Sequence, residues 1–212
     1  VLPVFFNALF TYFGHIKFDY SASSLQVIYI LQIIQQVLVI LVFFYVLYRQ
    51  GRGFEYIGLS FSWRDLFRGL ALLFIAYGFI IIINIVIGIF SQLSGEEISR
   101  LPENVEMFSK GPISLSLIIL LVVNSLYEEL IVRAYLITEV KEISRNAVLA
   151  VTLCVIIQTS YHIYQGLIPL LTIAGTFLVF SVYYIRKKRI MPVILAHTYM
   201  NMISAIASRY IQ

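Results

Sequence analysis

From Val27 to Tyr48 the chain runs without a single charged residue. An uncharged apolar run of about 20 residues spans the ~30 Å hydrocarbon core of a bilayer when helical. In that medium the backbone must satisfy its own hydrogen bonds within one segment, so helix is the expected outcome. The rule extends to Phe79-Ile80-Ile81-Ile82-Ile83-Asn84-Ile85, a string that would form helix poorly in water. Nothing alternates apolar and polar at period two, which argues against a membrane barrel. Charged residues make up 12% of the 212-residue chain, against roughly 25% in soluble domains. The sequence therefore reads as an all-α, polytopic membrane bundle, with lipid rather than water around its core.

Candidate spans fall at about 1–14, 26–48, 68–93, 113–139, 147–164, 167–185 and 192–210, about seven in all. They divide into N-terminal helices over 1–112 and a helical core over 113–212. The opening run lacks a basic n-region and a small-x-small cleavage site, so it reads as a short or truncated first span. Segment 49–68 carries Arg49, Arg52, Arg64 and Arg68, and the loop before the last span is Arg186-Lys187-Lys188-Arg189. Segment 94–112 is acidic overall. The positive-inside rule puts the basic segments in the cytoplasm and 94–112 outside. Alternation then places the turn at Ser144-Arg145-Asn146 inside and the turn at Gln165-Gly166 outside. Residues 54–66, with Trp63, read as an interfacial segment. The net charge of +4 lies in short loops flanking apolar spans, so it signals topology and not nucleic-acid binding. The lone Cys154 excludes an intrachain disulfide and reads as a small hydrophobe.

Polar residues inside such spans are costly, at least ~2.5–3.5 kcal/mol per charge near the bilayer centre. Glu128, Glu129 and Arg133 nevertheless stand together at the end of the run Ile113–Leu126. Glu129 and Arg133 are four apart on a helix and so face each other as an ion pair. Glu128 points about 100° away. His197 and Asn201 form a second i, i+4 pair behind Pro192, and His162 closes the fifth span. Each group alone also fits a bland role, as a structural ion cluster or as helix-bridging hydrogen bonds. Counting at ~1.5 Å per residue from the turn at Arg145/Asn146 brings Glu129 and His162 level, some 24 Å along. His197 and Asn201 lie ~8–14 Å into the last helix on the same scale. If the 139–146 hairpin projects into the cytoplasm, all four groups meet in one site reachable from that side.

Glu128-Glu129-x-x-x-Arg133, then His162, then His197-x-x-x-Asn201 after a basic loop, resembles the CAAX-protease and bacteriocin-processing (CPBP, or Abi) family of intramembrane proteases. The resemblance covers residues 113 to about 207. It departs at one place: the family's second motif usually reads Phe-x-x-x-His, and this chain has Gln158 at the phenylalanine position. The resemblance implies that Glu128 and His162 activate a water. It implies that His197 and Asn201 stabilise the oxyanion, with Glu129 and Arg133 in support. It favours a site without metal and without other cofactor. One Glu and two His would also make a zinc set of the metalloprotease kind, although no His-Glu-x-x-His spacing exists here. The expected partners are a membrane-associated peptide or protein substrate and the bilayer itself. The expected location is a multi-pass position in a prokaryotic plasma membrane. The competing readings are a non-catalytic scaffold or a bacteriocin-immunity protein of the same family, which Gln158 would favour, and an ion or proton relay.

Overall fold

The apolar runs fold as helices wherever the computed structural model describes them, which is over residues 22–94 and 113–210. No strand occurs among the described residues. The helices are α1 (Ala22–Arg49), α2 (Trp63–Ser94), α3 (Leu115–Glu128), α4 (Leu136–Ser144), α5 (Ala147–Ser160), α6 (Leu167–Lys187) and α7 (Met191–Tyr210). A π-helical segment, Glu129–Tyr135, joins α3 to α4 without a break. Helix α1 packs on α3, α2 on α6 and α7, and α5 on α4 and α6.

Four of these stretches are long and apolar enough to cross a membrane: Ser24–Arg49, Trp63–Ser94, Leu115–Ser144 and Ile168–Lys187. That is fewer than the seven expected, and each shortfall has a cause. The candidate span 1–14 and, apart from Ser94, the acidic segment 94–112 lie outside the described residues. Helix α5 has 14 residues, about 21 Å at 1.5 Å per residue, and stops where the polar run Gln158–His162 begins. A 3₁₀ turn, Ile163–Gln165, continues the chain toward α6. Helix α7 has the length, with 20 residues, but His197, Thr198, Asn201, Ser204 and Ser208 dilute its apolar character. The fourth candidate span also runs past 139 to Ser144.

The outer surfaces are those of a lipid-facing protein. Ile81, Ile82, Ile85 and Val86 of α2 and Leu31, Leu38 and Leu41 of α1 are all exposed. Between helices, small residues allow close approach. A Cβ on Gly69 of α2 would stand 2.8 Å from the Leu195 Cβ and 3.1 Å from the Pro192 carbonyl of α7.

The segments assigned by charge to the cytoplasm assemble at one end of the bundle. Arg52 pairs with Glu139, and the Tyr56 hydroxyl donates to Glu139 at 2.9 Å. Buried Asp65 accepts from Arg68 at 2.8 Å and from Arg189 at 2.6 Å. The Ile190 amide donates to the Gly58 carbonyl at 3.1 Å. Gly58 is left-handed there, with φ 64°, and a side chain on it would strike the Lys188 carbonyl. The 3₁₀ turn Phe54–Ile57 sits under this knot: Tyr184, buried, donates its hydroxyl hydrogen toward the Ile57 and Ala134 carbonyls, each at 3.1 Å.

Candidate active site

Two hydrogen bonds, one helical turn apart, fix the register of α7 against the α3–π segment. His197 Nδ1 meets Glu129 Oε1 at 2.7 Å, and Asn201 Nδ2 donates to Ser125 Oγ at 3.1 Å. Four residues forward on α7 match four residues back on α3, as antiparallel helices require. Extended toward the basic end, the register brings Lys188 Nζ to Thr138 Oγ1 at 2.8 Å. Glu129 is nine residues from Thr138, hence ~13 Å deeper at 1.5 Å per residue. The polar cluster therefore lies well inside the bundle, below the basic end.

Helical phase separates the two carboxylates. Glu129 is fully buried and pairs with Arg133. It also accepts from Gln158 Nε2 at 3.4 Å. Arg133, equally buried, donates to Gln158 Oε1 at 2.5 Å and to Ser181 Oγ at 3.2 Å. Its guanidinium lies 5.5 Å from the Phe177 ring centroid and 5.3 Å from that of Phe180. A buried ion pair survives only when its remaining donors and acceptors are satisfied, and Gln158 and Ser181 do this here. Gln158 thus bridges both ends of the pair from the position where the resemblance expects phenylalanine.

Glu128 faces elsewhere. Its Oε1 accepts from Asn124 Nδ2 at 3.0 Å, and its Oε2 accepts from the Tyr161 hydroxyl at 3.1 Å. Asn124 accepts in turn from Gln36 Nε2 of α1 at 2.8 Å. The backbone between the carboxylates changes from α to π at this point. Such irregularity recurs where helices carry function, and the sequence gives no direct sign of it.

His162 closes the cluster from the turn that follows α5, one residue past the C-cap Tyr161. Its hydrogen-bond partner is Gln165, with Nε2 of that amide 3.1 Å from His162 Nδ1, and not Glu128. Its own Nε2 is buried without a protein partner. The ring packs on Tyr161 at 4.8 Å and on Phe177 at 5.5 Å between centroids. The same Phe177 lies 6.2 Å from His197, so one aromatic side chain touches both imidazoles. The structure thus brings Glu129, Arg133 and His197 into direct contact. It places Glu128, His162 and Asn201 around them through Tyr161, Phe177 and Ser125. Among the described residues, no three His, Cys, Asp or Glu side chains converge as a metal-binding set.

Several members of the cluster escaped the sequence reading. Asn124 was legible, since it stands four before Glu128 on the same helix face. Tyr161 adjoins His162 in sequence. Ser125 and Ser181 carry no local signal; only helix packing brings them in.

A helical membrane protein with carboxylates, a guanidinium and imidazoles gathered inside its spans belongs to a narrow class, in which intramembrane ionisable groups serve chemistry or transport. Residues 110–203 match the family model described as "Rce1-like: Type II CAAX prenyl endopeptidase Rce1-like". That stretch, which holds all six candidate residues, is what the chain shares with the CAAX prenyl endopeptidases, and it covers somewhat less than half of the sequence. No curated protein and no solved structure matches the chain.

Proposed function

We propose that this protein is an intramembrane endopeptidase that hydrolyses a peptide bond of a membrane-associated peptide or protein. The observation that carries this reading is the state of Glu128. It is a buried carboxylate oriented by two donors, Asn124 and Tyr161, and kept apart from the Glu129–Arg133 pair. A carboxylate held in fixed orientation, and not consumed by an ion pair, is suited to take a proton from water. His162 supplies the second group: its buried Nε2 has no protein partner and is the atom available to the same water.

Attack of that water on the scissile carbonyl creates an oxyanion. His197 is anchored through Nδ1 to Glu129, which leaves Nε2 on the far side of the ring for substrate. Asn201 Nδ2 uses one hydrogen on Ser125 and keeps a second. Fixed donors of this kind are worth ~2.7–4 kcal/mol each in other hydrolases. Glu129, Arg133 and Gln158 then act as the frame that holds His197. Proton return to the leaving amine completes hydrolysis. The family match supports a C-terminal CAAX-type substrate anchored in the membrane, and the depth of ~13 Å below the Lys188 level suits a chain reaching in from the basic end.

The test is cleavage of a prenylated CAAX-type reporter in vesicles, comparing wild type with Glu128→Gln and His162→Ala. Loss of cleavage in both variants is expected, with retention under chelator. Cleavage that is lost with chelator and restored by zinc would overturn the metal-independent mechanism.

A further inference from the structure

A cavity of about 630 Å³ opens at the basic end of the bundle, lined by Tyr56, Thr138, Lys141, Glu142, Arg145 and Lys188. None of its lining residues belongs to the polar cluster, and Thr138, on the same continuous helical stretch, lies nine residues from Glu129. Its size falls within the ~300–1,000 Å³ typical of ligand sites.

The charges around it are unbalanced. Glu142 is the only carboxylate among the six lining residues, and it is engaged by Tyr56 and Arg52. Neighbouring Glu139 is engaged by the same two residues. Lys141, Arg145 and Lys188 form no ion pair among the described residues. Lys188 gives its ammonium to the Thr138 hydroxyl. Its pKa is held below the usual lysine value, first by burial and then by the positive charge of Lys141. Two cations crowded in this way gain from a shared anion. Arg145 and Lys188 are also the only non-glycine residues at positive φ in the described chain, at 55° and 50°. Each caps a helix end, where glycine is the usual occupant.

The surroundings point to the source of the anion. Ile143 and Val148, on either side of Arg145, are 81% and 74% exposed. Apolar side chains flanking cations at the end of a membrane bundle match the boundary between headgroups and acyl chains.

We propose that this cavity binds the phosphate of an anionic lipid headgroup through Lys141, Arg145 and Lys188, with Ile143 and Val148 set against its acyl chains. The site is independent of the peptidase reading. It would fix the height and tilt of the α4–α5 hairpin in the bilayer.

The experiment uses the full chain in phosphatidylcholine nanodiscs, with or without phosphatidylglycerol, and with inorganic phosphate as a third arm. Lipid retained by the protein is counted by native mass spectrometry, alongside the unfolding midpoint. Phosphatidylglycerol should be retained and should raise the midpoint. The double variant Lys141→Gln/Arg145→Gln should weaken retention roughly tenfold or more, given ~1 kcal/mol per cation near an anionic surface. The charge-matched control Arg186→Gln/Lys187→Gln, outside the cavity, should retain it. Equal loss in both doubles would reduce the effect to general surface charge and overturn the site. An equal shift with inorganic phosphate alone would overturn the lipid assignment, and no retention in wild type would overturn both.

Discussion

The Tyr161 hydroxyl donates to Glu128 Oε2 at 3.1 Å, making Tyr161, at the C-cap of α5, and not its neighbour His162, the residue bonded to this carboxylate from that end of the helix. A hydrogen bond to a charged group contributes ~1.5–3 kcal/mol, and here it restricts where the carboxylate can point. Tyr161→Phe is therefore expected to lower kcat about tenfold with KM little changed, since the hydroxyl orients the proposed base and need not touch substrate. Steady-state cleavage of a reporter peptide reads this directly. A rise in KM at constant kcat would place Tyr161 in substrate binding instead.

Glu129 and Arg133 depend on each other. Both are fully buried, and removing one partner strands the other charge, at a cost of ~3–5 kcal/mol. Arg133→Met should lower the unfolding midpoint sharply in detergent. Adding Glu129→Gln to that background should recover much of the loss, because the stranded carboxylate is gone. If the single variant unfolds like wild type, the pair is not a buried one.

Gln158 tests how this chain departs from the family pattern. Phenylalanine at that position would take away the acceptor for Arg133 Nη2 and a donor to Glu129, costing about 1–3 kcal/mol for unsatisfied buried groups. Gln158→Phe is expected to destabilise the protein despite restoring the family residue. A neutral or stabilising result would mean that Arg133 finds its partners elsewhere.

At the basic end, the Tyr56 phenol is pushed well above the ordinary tyrosine value, first by burial and then by its hydrogen bonds to Glu142 and Glu139. The folded value is the higher one. Its contribution to stability is therefore complete below the unfolded value of ~10 and is lost as pH rises through the folded value. Ultraviolet titration should show a late-ionising phenol that Tyr56→Phe removes. Titration of Tyr56 together with exposed tyrosines near pH ~10 would contradict the link to the two glutamates.

The all-helical membrane fold was legible because lipid leaves the backbone few choices, and the uncharged run from Val27 to Tyr48 states that choice openly. The divergence of Glu128 from Glu129 was legible for a similar reason, since one residue of helix turns a side chain by about 100°. Helices at 147–164 and 192–210 were legible too and form as α5 and α7, but neither counts among the four stretches long and apolar enough to cross a membrane, because α5 ends early at its polar run and α7 carries several polar residues. Those polar residues, Gln158 to His162 and His197 to Asn201, are the ones that build the cluster, so the features that shorten α5 and make α7 less apolar also mark the site. The π segment and the roles of Ser125 and Ser181 depend on contacts between helices distant in sequence, which local pattern does not carry. The pairing of His197 with Glu129 belongs with these: spacing brought the groups to one region but did not choose between two adjacent carboxylates.

The proposed role of Glu128 is to serve as the base for peptide hydrolysis inside the membrane. The most direct measurement is release of the C-terminal fragment from a prenylated CAAX-type peptide by purified protein in vesicles, for wild type and Glu128→Gln. Loss of a general base costs ~10²–10⁴-fold, so wild type should release the fragment and Glu128→Gln at least about a hundredfold less, with equal unfolding midpoints. Undiminished release by a folded Glu128→Gln protein would contradict it.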